Sequence, residues 1–396
     1  MALALIDPYW RDWLELGVRW LHVVAGIVWI GTSFYFVALD NHLGRPRVEE
    51  PGVGGESWEI HGGGFYRISK YRLAPEELPE PLHWFKWEAY TTWLSGFGLL
   101  VVLYYFNADT YLVDTSVADI PVAAAIAISL IGLAAAWVIY DVACMLFKSD
   151  LVVGLLLVAM TAAAAYGASQ VFSGRAAYLQ VGAMLGTIMA ANVLFNIIPA
   201  HWELIRAKEA GREPDPAPAL EAKRRSVHNN YLTLPVVFAM ISNHFAFTYE
   251  HSHAWLVLVA LMLIGAWIRH FFNLRHAGRT VWWIPVSALV ATLALAIAMR
   301  PDEGGGAAGP AQEVSDAQAQ AIVRQRCVPC HSQTPSEPGF SAPPAGITFD
   351  TLEEIKSRAD AIEEQAVRSQ AMPLGNATGM TGQERQTLGA WISSLK

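Results

Sequence analysis

Charge is what this chain has least of. Charged residues make up 16% of its 396 positions and hydrophobic ones 54%, whereas an ordinary soluble protein is roughly one-quarter charged. That excludes a soluble globular fold for most of the length and points to the membrane class. The net charge is −8 and no basic patch stands out, so nucleic acid is excluded as a partner. Cysteine is scarce too, with three in the chain. Cys327 and Cys330 stand two residues apart and Cys144 is alone, which rules out a disulfide framework. Cys144 closes an apolar run and reads as packing filler. No short hydrophobic segment followed by a small-residue cleavage site opens the chain, so the first apolar run is read as an uncleaved anchor. No internal repeat recurs at a fixed period.

What is present is a series of apolar runs. A bilayer is spanned by ~20 apolar residues in a helix, and eight such runs occur, near 15–39, 91–107, 121–142, 151–171, 178–200, 231–249, 254–272 and 281–299. Of the 20 Lys and Arg in residues 1–300, 16 fall in one set of alternate loops. Arg11, Arg19, Arg175 and Arg300 fall in the other set or at the ends. By the positive-inside rule, both ends of an eight-helix bundle then face away from the cytoplasm. Residues 301–314 are rich in Gly, Ala and Pro and read as a flexible tether. The segment 315–396 follows; residues 301–396 hold 7 Lys/Arg against 12 Asp/Glu, the balance of a soluble surface. The expected fold is all-α: a polytopic membrane helix bundle over 1–300, the linker 301–314, and a small C-terminal domain over 315–396.

Cys327, Val328, Pro329, Cys330 and His331 form C-x-x-C-H, the attachment signature of a c-type haem. Two thiols at that spacing reach the two vinyl groups of one porphyrin, and the adjacent His331 then lies under the iron as proximal ligand. Met372, followed by Pro373, is the natural sixth ligand, with Met380 as the runner-up. Zinc would need a second Cys or His pair, and the segment has no further cysteine. A thioredoxin-like site would need a βαβ context that so short a segment lacks. A covalent haem also requires maturation outside the cytoplasm, the side that the loop charges assign to this domain.

Polar residues inside apolar helices are expensive and usually face the bundle interior. His22 shares a stripe with Gly26, Trp29 and Ser33, and small residues there favour close packing. His244 lies near the outer end of the sixth run. The pair are candidate ligands of a second haem, of the b type, or contacts to a substrate, or histidines bonded to neighbouring helices. Towards the other face, Asn192 and Asn196 stand one turn apart and precede His201, with His83, His228, Asn229, Asn230, His270 and Asn273 at nearby helix ends. Paired amides suit a planar polar ligand or helix-to-helix hydrogen bonds, and both readings stay open.

Arg19-Trp20-Leu21-His22 through Trp29-Ile30-Gly31, WFKWEAYTTW at 84–93, the Asn192/Asn196/His201 segment and HNNYLTLPVVFAMISNH at 228–244 resemble the bacterial membrane-bound urate oxidases (urate hydroxylases) with a fused cytochrome c domain. The C-terminal segment, with a helix before CVPCH, Met372-Pro373 and a closing helix bearing Trp391, resembles a class I cytochrome c. The resemblance implies oxidation of urate to 5-hydroxyisourate in purine breakdown, with electrons leaving through haem c without forming hydrogen peroxide. It implies a multi-pass protein of the bacterial inner membrane, in contact with lipid, with its N-terminus and cytochrome domain on the periplasmic side. A soluble cytochrome c or a terminal oxidase would take the electrons onward. No compact motif in the membrane domain names a catalytic residue. Two other classes are weighed against this one. A membrane electron-transfer subunit fed by quinol or a partner dehydrogenase would need only one anchoring helix. A transporter would show helices broken near the midplane, whereas Pro235 and Pro285 are expected at helix beginnings.

Overall fold

A computed structural model describes residues 8–300, 314–337 and 340–395; nearly all of the expected tether, 301–313, lies outside them. Each of the eight apolar runs lies wholly or largely in helix: α1 Pro8–His42, α2 Trp87–Leu99, α3 Val122–Leu146, α4 Asp150–Ser169, α5 Gly174–Asn192, α6 Ile198–Glu209, α7 Pro216–Ile241, α8 Ala254–His276 and α9 Trp283–Ala298. Helices α5 and α6 are joined through a π-helical turn at Val193–Ile197 into one continuous rod. Five rods are long and apolar enough to cross a membrane: Tyr9–His42, Val122–Leu146, Asp150–Ser169, Gly174–Glu209 and Ala254–His276. The other three fall short for separate reasons. Helix α9 has only 16 residues. Helix α2 has 13 before a second π turn, Leu100–Tyr105, takes over. Helix α7 has 26, but its first half carries Glu221, Lys223, Arg224 and Arg225.

Local chemistry sets the ends. The hydroxyls of Ser149 and Ser173 accept the backbone N–H groups of Val152 and Ala176, capping α4 and α5. Asp215 caps α7 with Pro216 in its first turn, so this helix starts about fifteen residues before the apolar run that announced it. Pro235 therefore lies inside α7, not at its beginning. The backbone there is packed tightly: a Cβ on Gly265 would stand 3.3 Å from the Leu234 Cβ and 3.5 Å from the Pro235 nitrogen. The helix ends at Ile241, and His244 falls in a 3-10 turn, Ser242–His244.

The all-α expectation misses one element. Between α1 and α2 an antiparallel hairpin forms from β1 Val53–His61 and β2 Gly64–Tyr71, paired from Val53 with Tyr71 to His61 with Gly64. Its two-residue turn is Gly62-Gly63, both at positive φ, which matches the twist of the strands. Glu56 is buried at its base and accepts hydrogen bonds from Trp58 Nε1 (2.5 Å) and Arg67 Nε (2.9 Å).

The main apolar core runs through α3, α4, α5, α7 and α8, with Tyr178, Leu185, Ile188 and Leu258 fully buried. A separate core builds the C-terminal unit. There α10 Asp316–Arg326, capped by Ser315 in a capping box, packs on α11 Gly382–Ser394, capped by Thr381 and Glu384. Val323, Leu388, Trp391 and Ile392 fill the joint, and Trp391 Nε1 donates to Asp316 Oδ1 at 2.9 Å. This unit rests on the end of the bundle that holds the start of α1, the Asn107–Ser116 loop and the start of α5. Ser341 donates to Asp12, and Gly375, at φ +56°, lies so close that a Cβ would stand 2.5 Å from the Thr110 carbonyl oxygen.

Candidate functional site

The motif that the sequence singles out is folded into one tight turn. Cys327 N donates to the Val323 carbonyl (2.8 Å), extending α10 by a residue, and His331 N donates to the Cys327 carbonyl (2.9 Å). Both thiols and the imidazole thus leave the same short stretch of backbone, and both cysteines are free. His331 Nδ1 lies 3.0 Å from the Ile347 carbonyl. A carbonyl only accepts, so Nδ1 carries the proton and Nε2 keeps its lone pair, the tautomer that a metal-ligating histidine needs. Phe349 stands beside the ring, 5.3 Å between centroids. Burial pushes the Cys327 thiol up to about 12, helped by Cys330, and pushes Cys330 up to about 11, helped by Glu337. A redox-active cysteine pair shows the opposite direction. Among the described residues no three His, Cys, Asp or Glu side chains are grouped to hold a bare metal ion.

The two methionines are placed differently. Met380 is 3% exposed inside the apolar core, whereas Met372 is half-buried at its edge. Met372 is held at both backbone ends: its N–H donates to the Gln365 carbonyl (2.8 Å), and its carbonyl accepts from Arg385 Nη1 (2.7 Å). The residues present fit a c-type haem: two free thiols, an imidazole with Nε2 open, and an accessible thioether. Met372→Ala is expected to remove the weak Met-to-iron band at the red edge of the oxidised spectrum and to lower the reduction potential. If Met380→Ala does this and Met372→Ala does not, the sixth ligand is misassigned.

The two histidines named from the first and sixth runs are not neighbours. His22 packs on α2, its Nδ1 3.0 Å from the Thr92 carbonyl and 3.2 Å from Ser95 Oγ. A Cβ on Gly96 would come within 2.8 Å of its Cε1, so glycine is what lets the ring in. His244 is exposed near the C-terminal unit, and the two rings make no contact.

Asn192 closes α5, whereas Asn196 lies inside the π turn that follows it. Asn192 is fully buried at the centre of a network: its Nδ2 donates to Tyr140 Oη (3.1 Å) and Asn229 Oδ1 (2.9 Å), and its Oδ1 accepts from Arg225 Nη1 (3.2 Å). Arg225 also pairs with Glu221 (2.8 Å) and Asp141 (2.9 Å), and Tyr140 Oη meets His228 Nδ1 at 2.8 Å. Asn192 therefore joins α3, α5 and α7. Asn196, half-buried, and His201, exposed, make no side-chain hydrogen bond among the described residues. A second buried knot has Arg269 Nε donating to Asn230 Oδ1 (2.6 Å) and Asn230 Nδ2 to Asn273 Oδ1 (3.0 Å), with Phe34 under the guanidinium at 3.7 Å.

Two cavities lie elsewhere, at the seam between the bundle and the C-terminal unit. One of about 230 Å³ is lined by Tyr111, Asp114, Arg175, Glu250, Asn376 and Arg385 among others. A second, of about 260 Å³, is lined by Arg175, His244, Tyr249, Gln365, Met372 and Leu374 among others. Arg175 and Leu374 belong to both walls. Although the edge of Glu250 is exposed, loss of solvation at the seam, followed by the nearby Asp114 charge, pushes its carboxyl up to about 7, with Arg385 opposing. Sequence reading passed over Arg175 because a lone arginine at the head of an apolar run looks like a boundary marker.

Compared with known proteins, the chain matches the family model described as urate oxidase N-terminal over residues 8–300. That stretch ends where the bundle ends and leaves the C-terminal unit outside the match. Neither the comparison with curated proteins nor that with solved structures found a match.

Proposed function

The chain belongs to the urate oxidase N-terminal family, and from that premise we propose that it is a membrane-bound oxidoreductase that converts urate to 5-hydroxyisourate and delivers the electrons to a haem c in its own C-terminal domain. One observation carries the reading: a bundle of the urate oxidase family is continuous with a CVPCH turn whose His331 keeps Nε2 free beside two unpaired thiols. When bound, the haem would supply a one-electron acceptor, with Cys327 and Cys330 attaching it and His331 and Met372 holding its iron. The reaction consumes one water and releases two protons and two electrons, so the electrons leave in two steps, towards a soluble cytochrome c or a terminal oxidase. No oxygen is reduced and no hydrogen peroxide forms.

The arrangement proposed is eight membrane crossings, with α2, α7 and α9 joining the five long apolar rods, and with the N-terminus and the C-terminal domain on the periplasmic side of a bacterial inner membrane. The loop charges support that orientation, since Lys and Arg gather at the end opposite the C-terminal unit. His22, with Nδ1 bonded to a carbonyl and Nε2 left over, has the tautomer that a second haem would need.

The test is anaerobic addition of urate to the purified haem-loaded protein. The haem c band is expected to become reduced without any added partner, because the acceptor is tethered and the transfer is intramolecular. Reduction by a quinol but not by urate would instead make the protein an electron-transfer subunit.

A further inference from the structure

We propose that urate binds in the cleft between the bundle and the C-terminal domain, with Arg175 holding its negative charge; this deepens the function proposed above and rests on it. Arg175 differs from the arginines that are held in ion pairs. Arg67, Arg212, Arg224, Arg225 and Arg326 all pair with carboxylates within 3.5 Å. Arg175 has no ion pair among the described residues; its guanidinium meets the Tyr104 hydroxyl, but its Nε is buried without a hydrogen-bond partner. Its guanidinium lies over the Tyr111 ring, 5.3 Å from the centroid, and it faces both cavities. A desolvated guanidinium left without an anion is costly unless a ligand completes it, and its planar fork matches a planar anion with oxygen edges.

The walls fit the rest of such a molecule. Gln370 and Asn376 offer amide groups, and Tyr111 a flat face. Of the two carboxylates on this wall, Asp114 and Glu250, Asp114 is turned into its own loop, where its Oδ1 accepts from Ser116 N (2.9 Å) and Ser116 Oγ (2.5 Å). Position argues the same way. Met372 lines the second cavity, which shares Arg175 and Leu374 with the first, so a molecule held by Arg175 sits in the same cleft as the proposed iron ligand. From the Asn196 end of the bundle, electrons would have to cross a hydrocarbon core ~30 Å thick. Two buried arginines also lack a carboxylate, but Asn230 and Phe34 engage Arg269, whose Nη2 is left without a partner, and Arg385 donates to the Ala366 and Met372 carbonyls; neither faces both cavities.

The experiment uses full-length, haem-loaded protein in nanodiscs with the haem reduced beforehand, so that urate can bind but cannot be oxidised. Binding of labelled urate is measured by equilibrium dialysis. Wild-type protein should bind saturably, Arg175→Met at least about tenfold more weakly, and Arg175→Lys in between. Leu374→Trp, which fills the cleft from the C-terminal side, should also weaken binding by at least about tenfold, with the haem spectrum unchanged. If Arg175→Met does not fold, Leu374→Trp and Arg175→Lys decide the matter. Wild-type affinity in these variants overturns the cleft and leaves the urate reading standing. Loss of binding in Asn196→Ala with none in Leu374→Trp moves the site to the other face. A wild-type protein that binds no urate overturns both.

Discussion

Replacing Cys327 and Cys330 together by alanine is expected to abolish haem staining on a denaturing gel and, with it, every urate-dependent change in the visible spectrum. Covalent attachment needs thiols, and the chain has only one other. Cys144 is buried at the far end of α3, against the Arg225 network, so it cannot substitute. The motif turn itself should survive, because the bonds that shape it run between backbone atoms of Val323, Cys327 and His331. The packing of α10 on α11 relies on Val323, Leu388, Trp391 and Ile392, which the substitutions do not touch. The expected result is therefore a folded chain lacking covalent haem. Staining that persists in the double variant would place the attachment elsewhere and remove the basis for an internal acceptor.

The second large effect concerns stability. Arg225→Met is expected to cost about 3–5 kcal/mol, the usual loss when one member of a buried ionic cluster is removed. Arg225 is 1% exposed, and its side chain serves Glu221, Asp141 and the Asn192 oxygen at once. Methionine keeps much of the volume but leaves Asp141 without its cation, Glu221 with only the longer Arg224 contact at 3.4 Å, and one amide oxygen without its donor. Arg225→Lys keeps the charge but loses the fork, so it should fall between the two. Thermal unfolding of the detergent-solubilised protein measures this directly. A midpoint unchanged in Arg225→Met would mean that the network does not hold α3, α5 and α7 together. The large loss expected also bears on Asn192, whose amide is saturated by these partners and so serves helix-to-helix bonding.

Some features of this protein can be read from residues adjacent in the chain. Membrane character follows from apolar runs, because the transfer of a helix into lipid depends on its own composition. The C-x-x-C-H motif is equally local: five consecutive residues carry both thiols and the imidazole, and the fold adds only the Ile347 carbonyl that selects the tautomer. The start of α7 was also written locally, in Asp215 and Pro216, but hydropathy looks past a charged first half. The hairpin was announced by Gly62-Gly63 between alternating residues such as Trp58, Ile60, Phe65 and Arg67, a period of two that a search for helical runs passes over.

What only the tertiary structure decided is which polar groups meet. Asn192 and Asn196 look equivalent at one turn's spacing. The π turn that starts after Asn192 and contains Asn196 shifts the helix phase, burying one among Tyr140, Asn229 and Arg225 and leaving the other at the edge. Met372 and Met380 are both plausible ligands by spacing, yet packing on α11 seals Met380 and leaves Met372 accessible. The cleft around Arg175 has walls contributed by residues about two hundred positions apart, and it exists because Gly375 lets the C-terminal domain approach the Thr110 carbonyl. Hydropathy and motif spacing are sums over neighbours in sequence. A binding cleft is set by helix rotation, depth and docking, which depend on residues far along the chain.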